Sequence, residues 1–159
     1  HICRTEEEVK RAHDALTREY DAVLAERFVD GPEVTIGVLA LDPSAPPVAL
    51  PLIRIVPATE YYDYEAKYAR DDTRYLFGDE TGLAPGVIAR AQAVALRAFE
   101  ALGCRHLARV DLMVDGDDPL VMEVNTMPGF TDHSLLPMAA REHGLAMPAL
   151  VDALVRAAS

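Results

Sequence analysis

Hydrophobic and polar positions alternate along two neighbouring stretches late in the chain. Residues 107–114 read Leu-Ala-Arg-Val-Asp-Leu-Met-Val, and 120–125 read Leu-Val-Met-Glu-Val-Asn. A period of two predicts half-buried strands. Asp115-Gly116-Asp117-Asp118-Pro119 between them is turn chemistry. The pair therefore predicts an antiparallel hairpin. Folding it about Asp117 sets Asp111 opposite Glu123 and Arg109 opposite Asn125. Side chains at i and i+2 share a face, so all four point the same way.

The rest of the chain alternates between periods. Thr5 followed by Glu8 is a capping-box pattern. Val9, Ala12, Leu16 and Tyr20 continue at helical spacing, which predicts an amphipathic helix over 6–19. His13 beside that stripe reads as a packing or surface histidine. Residues 22–29 and 33–41 flank Asp30-Gly31-Pro32 and predict a second hairpin, with Val34, Ile36 and Val38 alternating with Glu33, Thr35 and Gly37. A Pro-rich loop at 42–47 leads to a third strand over 48–56, where Pro51 marks its edge or its start. Residues 57–84 show little periodicity. Pro85, the stripe Ile88, Ala91, Ala95, Phe99 and Leu102, and the stop signal Gly103 predict a helix over 85–102. Ser134 or a near neighbour starts a helix that ends before Gly144. Pro148 opens the last helix, with Leu150, Val151, Leu154 and Val155 on its buried face. The order α-β-β-β-loop-α-β-β-α-α is an α+β arrangement with antiparallel sheets flanked by helices.

Length and charge narrow the function classes. The 159 residues fit a single domain, 1–159, and half of them are hydrophobic. A net charge of −11 argues against nucleic acid or an anionic membrane as partner. Cys3 and Cys104 lie far apart and show neither metal spacing nor a disulfide framework, so reduced thiols and a cytoplasmic location are the expectation. No apolar run approaches the length of a membrane span, and the amino end is not a signal peptide. The chain starts at His1 without an initiator Met, which suits a processed, a truncated or a partial polypeptide.

The predicted hairpin carries the candidate chemistry. Directly opposed residues have Cβ atoms about 4.5–5.5 Å apart. Two carboxylates that close repel unless a cation or a proton lies between them. A hard divalent cation such as Mg²⁺ takes oxygen ligands, and Asp111, Glu123 and Asn125 supply carboxylate and amide oxygens. A solvated polar face on an edge hairpin has the same spacing, and the pattern alone leaves both readings open. The tyrosines of Tyr61-Tyr62-Asp63-Tyr64-Glu65-Ala66-Lys67-Tyr68 suit an ordered loop that closes over a ligand, or a surface loop anchored by aromatics.

Several stretches together resemble one family. Glu26-Arg27-Phe28-Val29-Asp30-Gly31-Pro32-Glu33-Val34-Thr35 is similar to the ATP-binding strand of ATP-grasp enzymes. Tyr62 to Tyr68 resembles the active-site loop of D-alanine–D-alanine ligases. Arg109-Val110-Asp111, Glu123-Val124-Asn125-Thr126-Met127-Pro128-Gly129-Phe130-Thr131 and Ser134-Leu135-Leu136-Pro137 resemble that family's metal, oxyanion and substrate signatures. The resemblance spans the chain and corresponds to the carboxy-terminal half of such a ligase, without the amino-terminal domain and the first part of the ATP-grasp domain. It implies ATP and two Mg²⁺ ions as cofactors, with Mn²⁺ as a substitute, and two molecules of D-alanine as substrates. It implies that Glu26, Phe28 and Val29 line an adenine pocket, that Glu33 binds ribose and that Lys67 reaches the phosphates. Phe28 departs from the Trp of some members. Asp111, Glu123 and Asn125 are implied as metal ligands. Arg109 and the Gly129 N–H are implied as oxyanion donors, and Ser134 and Leu135 as holders of the second D-alanine carboxylate. Tyr68, within the intact Tyr-Glu-Ala-Lys-Tyr pattern, is implied to favour an amine nucleophile over a hydroxyl. The implied product is D-alanyl-D-alanine for peptidoglycan precursors, made by an enzyme that is commonly a homodimer at full length. A truncated nucleotide- and metal-binding module, or a ligase making D-Ala-D-lactate or D-Ala-D-Ser, are the alternatives.

Overall fold

The computed structural model describes residues 1–57 and 73–158, which divide into two compact units, 1–30 and 31–159. In the first unit, helix α1 spans Glu6–Leu16 and starts with the expected capping box. The Thr5 hydroxyl accepts from the Glu8 N–H at 3.3 Å, and the Glu8 carboxylate accepts from the Thr5 N–H at 3.1 Å and the Arg4 N–H at 2.6 Å. Those backbone donors hold the Glu8 carboxyl below its ordinary value. The strand expected over 22–29 does not form: residues 22–30 belong to no strand or helix. The strand that follows the Asp30-Gly31-Pro32 turn has other partners on both edges.

That strand, β1 (Glu33–Ala40), is the centre of the second unit. The described strands run β4-β3-β1-β5-β6 across one sheet, all pairs antiparallel, and β2 also joins β1. The predicted 48–56 strand is split into β2 (Val48–Ala49) and β3 (Ile53–Val56). Pro51 lies in the gap and has no N–H for a ladder. Within the expected loop 57–84, β4 (Arg74–Leu76) pairs with β3 and a 3₁₀ turn follows over Gly78–Thr81. Residues 58–72, and with them Lys67 and Tyr68, lie outside the described residues.

Helix α2 (Pro85–Ala101) covers one face of the sheet. Its Val87, Ala91, Ala95 and Phe99 pack on Val34, Ile36, Val38, Ala108, Val110, Leu112 and Val114. Val87, not Ile88, begins the buried stripe, and Leu102 at its far end is 66 % exposed. Gly103, at φ +62°, closes the helix, with the Cys104 N–H donating to the Phe99 carbonyl at 3.0 Å and the Gly103 N–H to Glu100 at 3.0 Å.

Helices α3 (Leu135–Glu142) and α4 (Met147–Ala158) belong to the core on the opposite face, where Leu39, Leu50 and Ile53 meet Leu136, Ala139, Ala140 and Leu150. On α4 only Leu150 is fully buried. Val151 and Val155, expected inside, are 41 % and 62 % exposed. The hairpin forms as β5 (His106–Asp115) and β6 (Asp118–Asn125), with a tighter turn than the five residues expected.

Candidate functional site

The register of three adjacent strands builds the site. Thr35 on β1 lies opposite Asp111 on β5, which lies opposite Glu123 on β6. In the next row, Gly37 lies opposite Arg109, which lies opposite Asn125. Both hairpin pairings are those expected from folding about Asp117. A bulge after Asp111 then shifts the ladder, so Leu112 pairs with Val121. Paired residues share a face, so these rows and the apolar row Leu39–Leu107 line the face that carries α3 and α4.

Gly37 marks the boundary. A Cβ there would lie 2.8 Å from Leu50 Cδ1 and 3.4 Å from Leu136 Cγ. The missing side chain admits Leu50, and Leu136 of α3, against β1 at this position. Beyond it the face turns polar.

Asp111 is the hub. Its Oδ1 accepts from Thr35 Oγ1 at 2.6 Å and from Arg109 Nε at 2.9 Å. Its Oδ2 accepts from Arg109 Nη2 at 2.7 Å and from Asn125 Nδ2 at 3.0 Å. The same Asn125 Nδ2 donates to Glu123 Oε1 at 3.0 Å. Asp111 is buried, Asn125 half-buried and Glu123 exposed. Burial pushes the Asp111 carboxyl up, but hydrogen bonds from Arg109 and Thr35 and the Arg109 charge outweigh it and hold the group below its ordinary value. It is thus an ionised carboxylate in a largely enclosed setting.

This donor set suits a hard divalent cation. It offers two carboxylates and an amide, with no sulfur or imidazole. The Asn125 amide donates to both carboxylates and takes the electrostatic place of a cation between them. Turning that amide over would present its oxygen. Among the described residues no group of three or more His, Cys, Asp or Glu is gathered.

The loop from β6 to α3 brings the next candidates together. Gly129 lies against Ser134, since a Cβ on it would be 3.0 Å from Ser134 Oγ. Its φ is not positive, so close approach is what calls for glycine here. Ser134 is the N-cap residue of α3, but its hydroxyl does not cap the helix. It accepts from the Thr131 N–H at 2.9 Å and pairs with Thr131 Oγ1 at 2.9 Å. Pro137 at the third helical position has no N–H, so Leu135 and Leu136 carry the first-turn donors. Such a helix start attracts anions.

Glu33 lies two residues from Thr35 on the same strand face, opposite Met113. Glu26, Phe28 and Val29 lie in the first unit, where the Arg4 guanidinium stands 5.7 Å from the Phe28 ring centroid. Thr35 is the participant that the sequence reading missed as a functional residue. Its signal is its place between Glu33 and Gly37 on the alternating polar face of β1. A cavity of about 330 Å³ lined by His106, Leu107, Met127, Phe130 and Leu154 includes none of these site residues.

Comparison with known proteins identifies the family. Residues 1–156 match the family model described as D-ala D-ala ligase C-terminus. D-alanine–D-alanine ligase B of Chromobacterium violaceum is 51 % identical over 131 residues, 81 % of this chain and 41 % of that protein. The D-alanine–D-alanine ligase of Desulforudis audaxviator is 45 % identical over 159 residues, 99 % of this chain and 50 % of that protein. The D-alanine–D-alanine ligase of Bacillus anthracis, crystallised with ATP, superposes with a TM-score of 0.76 at 31 % identity, over 99 % of this chain and 49 % of that one. The chain spans about half the length, or somewhat less, of the curated relatives it matches. The antiparallel sheet with flanking helices is the carboxy-terminal ATP-grasp architecture of these ligases. The chain belongs to the carboxy-terminal family of D-alanine–D-alanine ligases.

Proposed function

We propose that this chain is the carboxy-terminal catalytic half of an ATP-dependent ligase that joins two D-alanines into D-alanyl-D-alanine for peptidoglycan precursor synthesis. The observation that carries the reading is the Arg109–Asp111–Glu123–Asn125 cluster on one sheet face. The first D-alanine carboxylate attacks the γ-phosphate of ATP and gives an acyl phosphate and ADP. The amine of the second D-alanine attacks the acyl carbon, phosphate leaves and the amine loses a proton.

Asp111, Glu123 and Asn125 would hold Mg²⁺, which when bound screens the repulsion between the anionic nucleophile and the phosphate oxygens. Arg109, fixed by its fork to Asp111, places a positive charge where the acyl oxygen becomes negative, and the Gly129 N–H adds a donor. The N–H groups at the start of α3, at Leu135 and Leu136, receive the carboxylate of the second D-alanine, with Ser134 beside them. Glu33 takes the ribose hydroxyls, while Glu26, Phe28 and Val29 receive the adenine. Lys67 reaches the phosphates. Tyr68 favours the amine nucleophile. The complete enzyme works in the cytoplasm as a homodimer.

A D-Ala:D-Ser ligase of Enterococcus faecalis has a TM-score of 0.74 at 26 % identity, which favours a second amino acid as the alternative acceptor. The test is phosphate release by the full-length ligase. Release that depends on both ATP and D-alanine, and disappears in Asp111→Asn, is expected. Release indifferent to D-alanine, or full turnover by Asp111→Asn, would overturn the reading.

A further inference from the structure

We infer that Thr35 is a positioning residue that makes Asp111 a one-oxygen ligand; the inference rests on the metal role proposed for Asp111. Thr35 is 1 % exposed and lies on a different strand from its partner. Its hydroxyl oxygen is 2.6 Å from Asp111 Oδ1 and 3.3 Å from the Val110 carbonyl. A hydroxyl has one proton, and the shorter contact to a charged acceptor takes it.

The two oxygens of Asp111 therefore have different surroundings. Oδ1 is held by Thr35 and by Arg109 Nε, both on the protein side. Oδ2 is the oxygen shared with Asn125, whose amide also reaches Glu123. Oδ2 is the oxygen in contact with Asn125, another of the proposed ligands. Arg109 alone does not set the two oxygens apart, because its fork gives each of them one donor. Thr35 breaks the symmetry. Its β-branched side chain has few rotamers in a strand, and its backbone is set by the β1–β5 ladder, so the donor is rigid.

A partner of this kind is worth about 10- to 100-fold in metal affinity. The test is Mn²⁺ binding to the full-length ligase without nucleotide or D-alanine, followed by electron paramagnetic resonance. Thr35→Val keeps the shape and removes the donor; a Kd for Mn²⁺ raised about tenfold or more is expected. Thr35→Ser and Thr35→Ala both lose the methyl group and differ in the hydroxyl, so Ser should bind near the wild-type level and Ala should not, even if Val folds poorly. Equal affinity across wild type, Val, Ser and Ala would overturn the role of Thr35 while leaving the metal site standing. Wild-type protein without Mn²⁺ binding that depends on Asp111 would overturn both.

Discussion

Replacing Asp111 by Asn should destabilise the metal-free protein by about 2–4 kcal/mol, and the hydrogen bonds explain why. The carboxylate accepts from Arg109 Nε, Arg109 Nη2, Thr35 Oγ1 and Asn125 Nδ2. An amide of the same shape has one acceptor. If its oxygen keeps Thr35 and Arg109 Nε, its NH₂ meets Arg109 Nη2 and Asn125 Nδ2, donor against donor. A hydrogen bond to a charged group is worth about 1.5–3 kcal/mol, and removing one partner of a buried ion pair costs about 3–5 kcal/mol. Arg109 is 17 % exposed, which places it near the buried case, while Asn125 can turn its oxygen to recover one contact. Urea denaturation in EDTA at neutral pH measures the difference. The same experiment in acid checks its origin. The Asp111 carboxyl is held below 3.8, so its contribution is fully present above that value and lost as pH falls through the lower folded value. The gap between wild type and variant should therefore close in strong acid. A neutral-pH difference under about 1 kcal/mol would refute the argument that these bonds hold the three strands together.

Other substitutions test other parts of the molecule. Gly31→Ala would drive a Cβ into the Val114 carbonyl oxygen, beside the 3.0 Å bond from the Val114 N–H to Pro32, so a loss of about 1–3 kcal/mol is expected in urea denaturation and an unchanged midpoint would count against it. Gly129→Ala should lower turnover about a hundredfold by pushing on Ser134, with stability within about 0.5 kcal/mol of wild type because Gly129 is exposed; normal kcat would contradict this. Thr5→Ala removes the cap of α1 and should cost about 1 kcal/mol of helix stability, read by amide exchange in 6–16; unaltered protection there would show the cap to be idle.

The hairpin and its four polar residues were legible because alternation and a turn fix a local register. Arg109, Asp111, Glu123 and Asn125 pair as the fold about Asp117 requires. Helix α2 was legible through Pro85 and Gly103, which punctuate its ends. The partners of β1 were not. Its neighbour β5 lies some seventy residues downstream, and no local pattern states which two strands meet, so 22–29 looked like the obvious partner. Thr35 became a site residue only through that distant pairing. The exposed Val151 and Val155 show the same limit, because helical spacing gives a stripe but not how much of it is covered.

The bulge after Asp111 has a consequence for how this hairpin can vary. Met122 has no opposite residue, so β6 holds one residue of slack between the turn and Glu123. Losing a residue from 119–122 would straighten the ladder and leave Glu123 facing Asp111. Gaining one would enlarge the bulge first. The row of Asp111 and Glu123 is thereby insulated from the length of the tip.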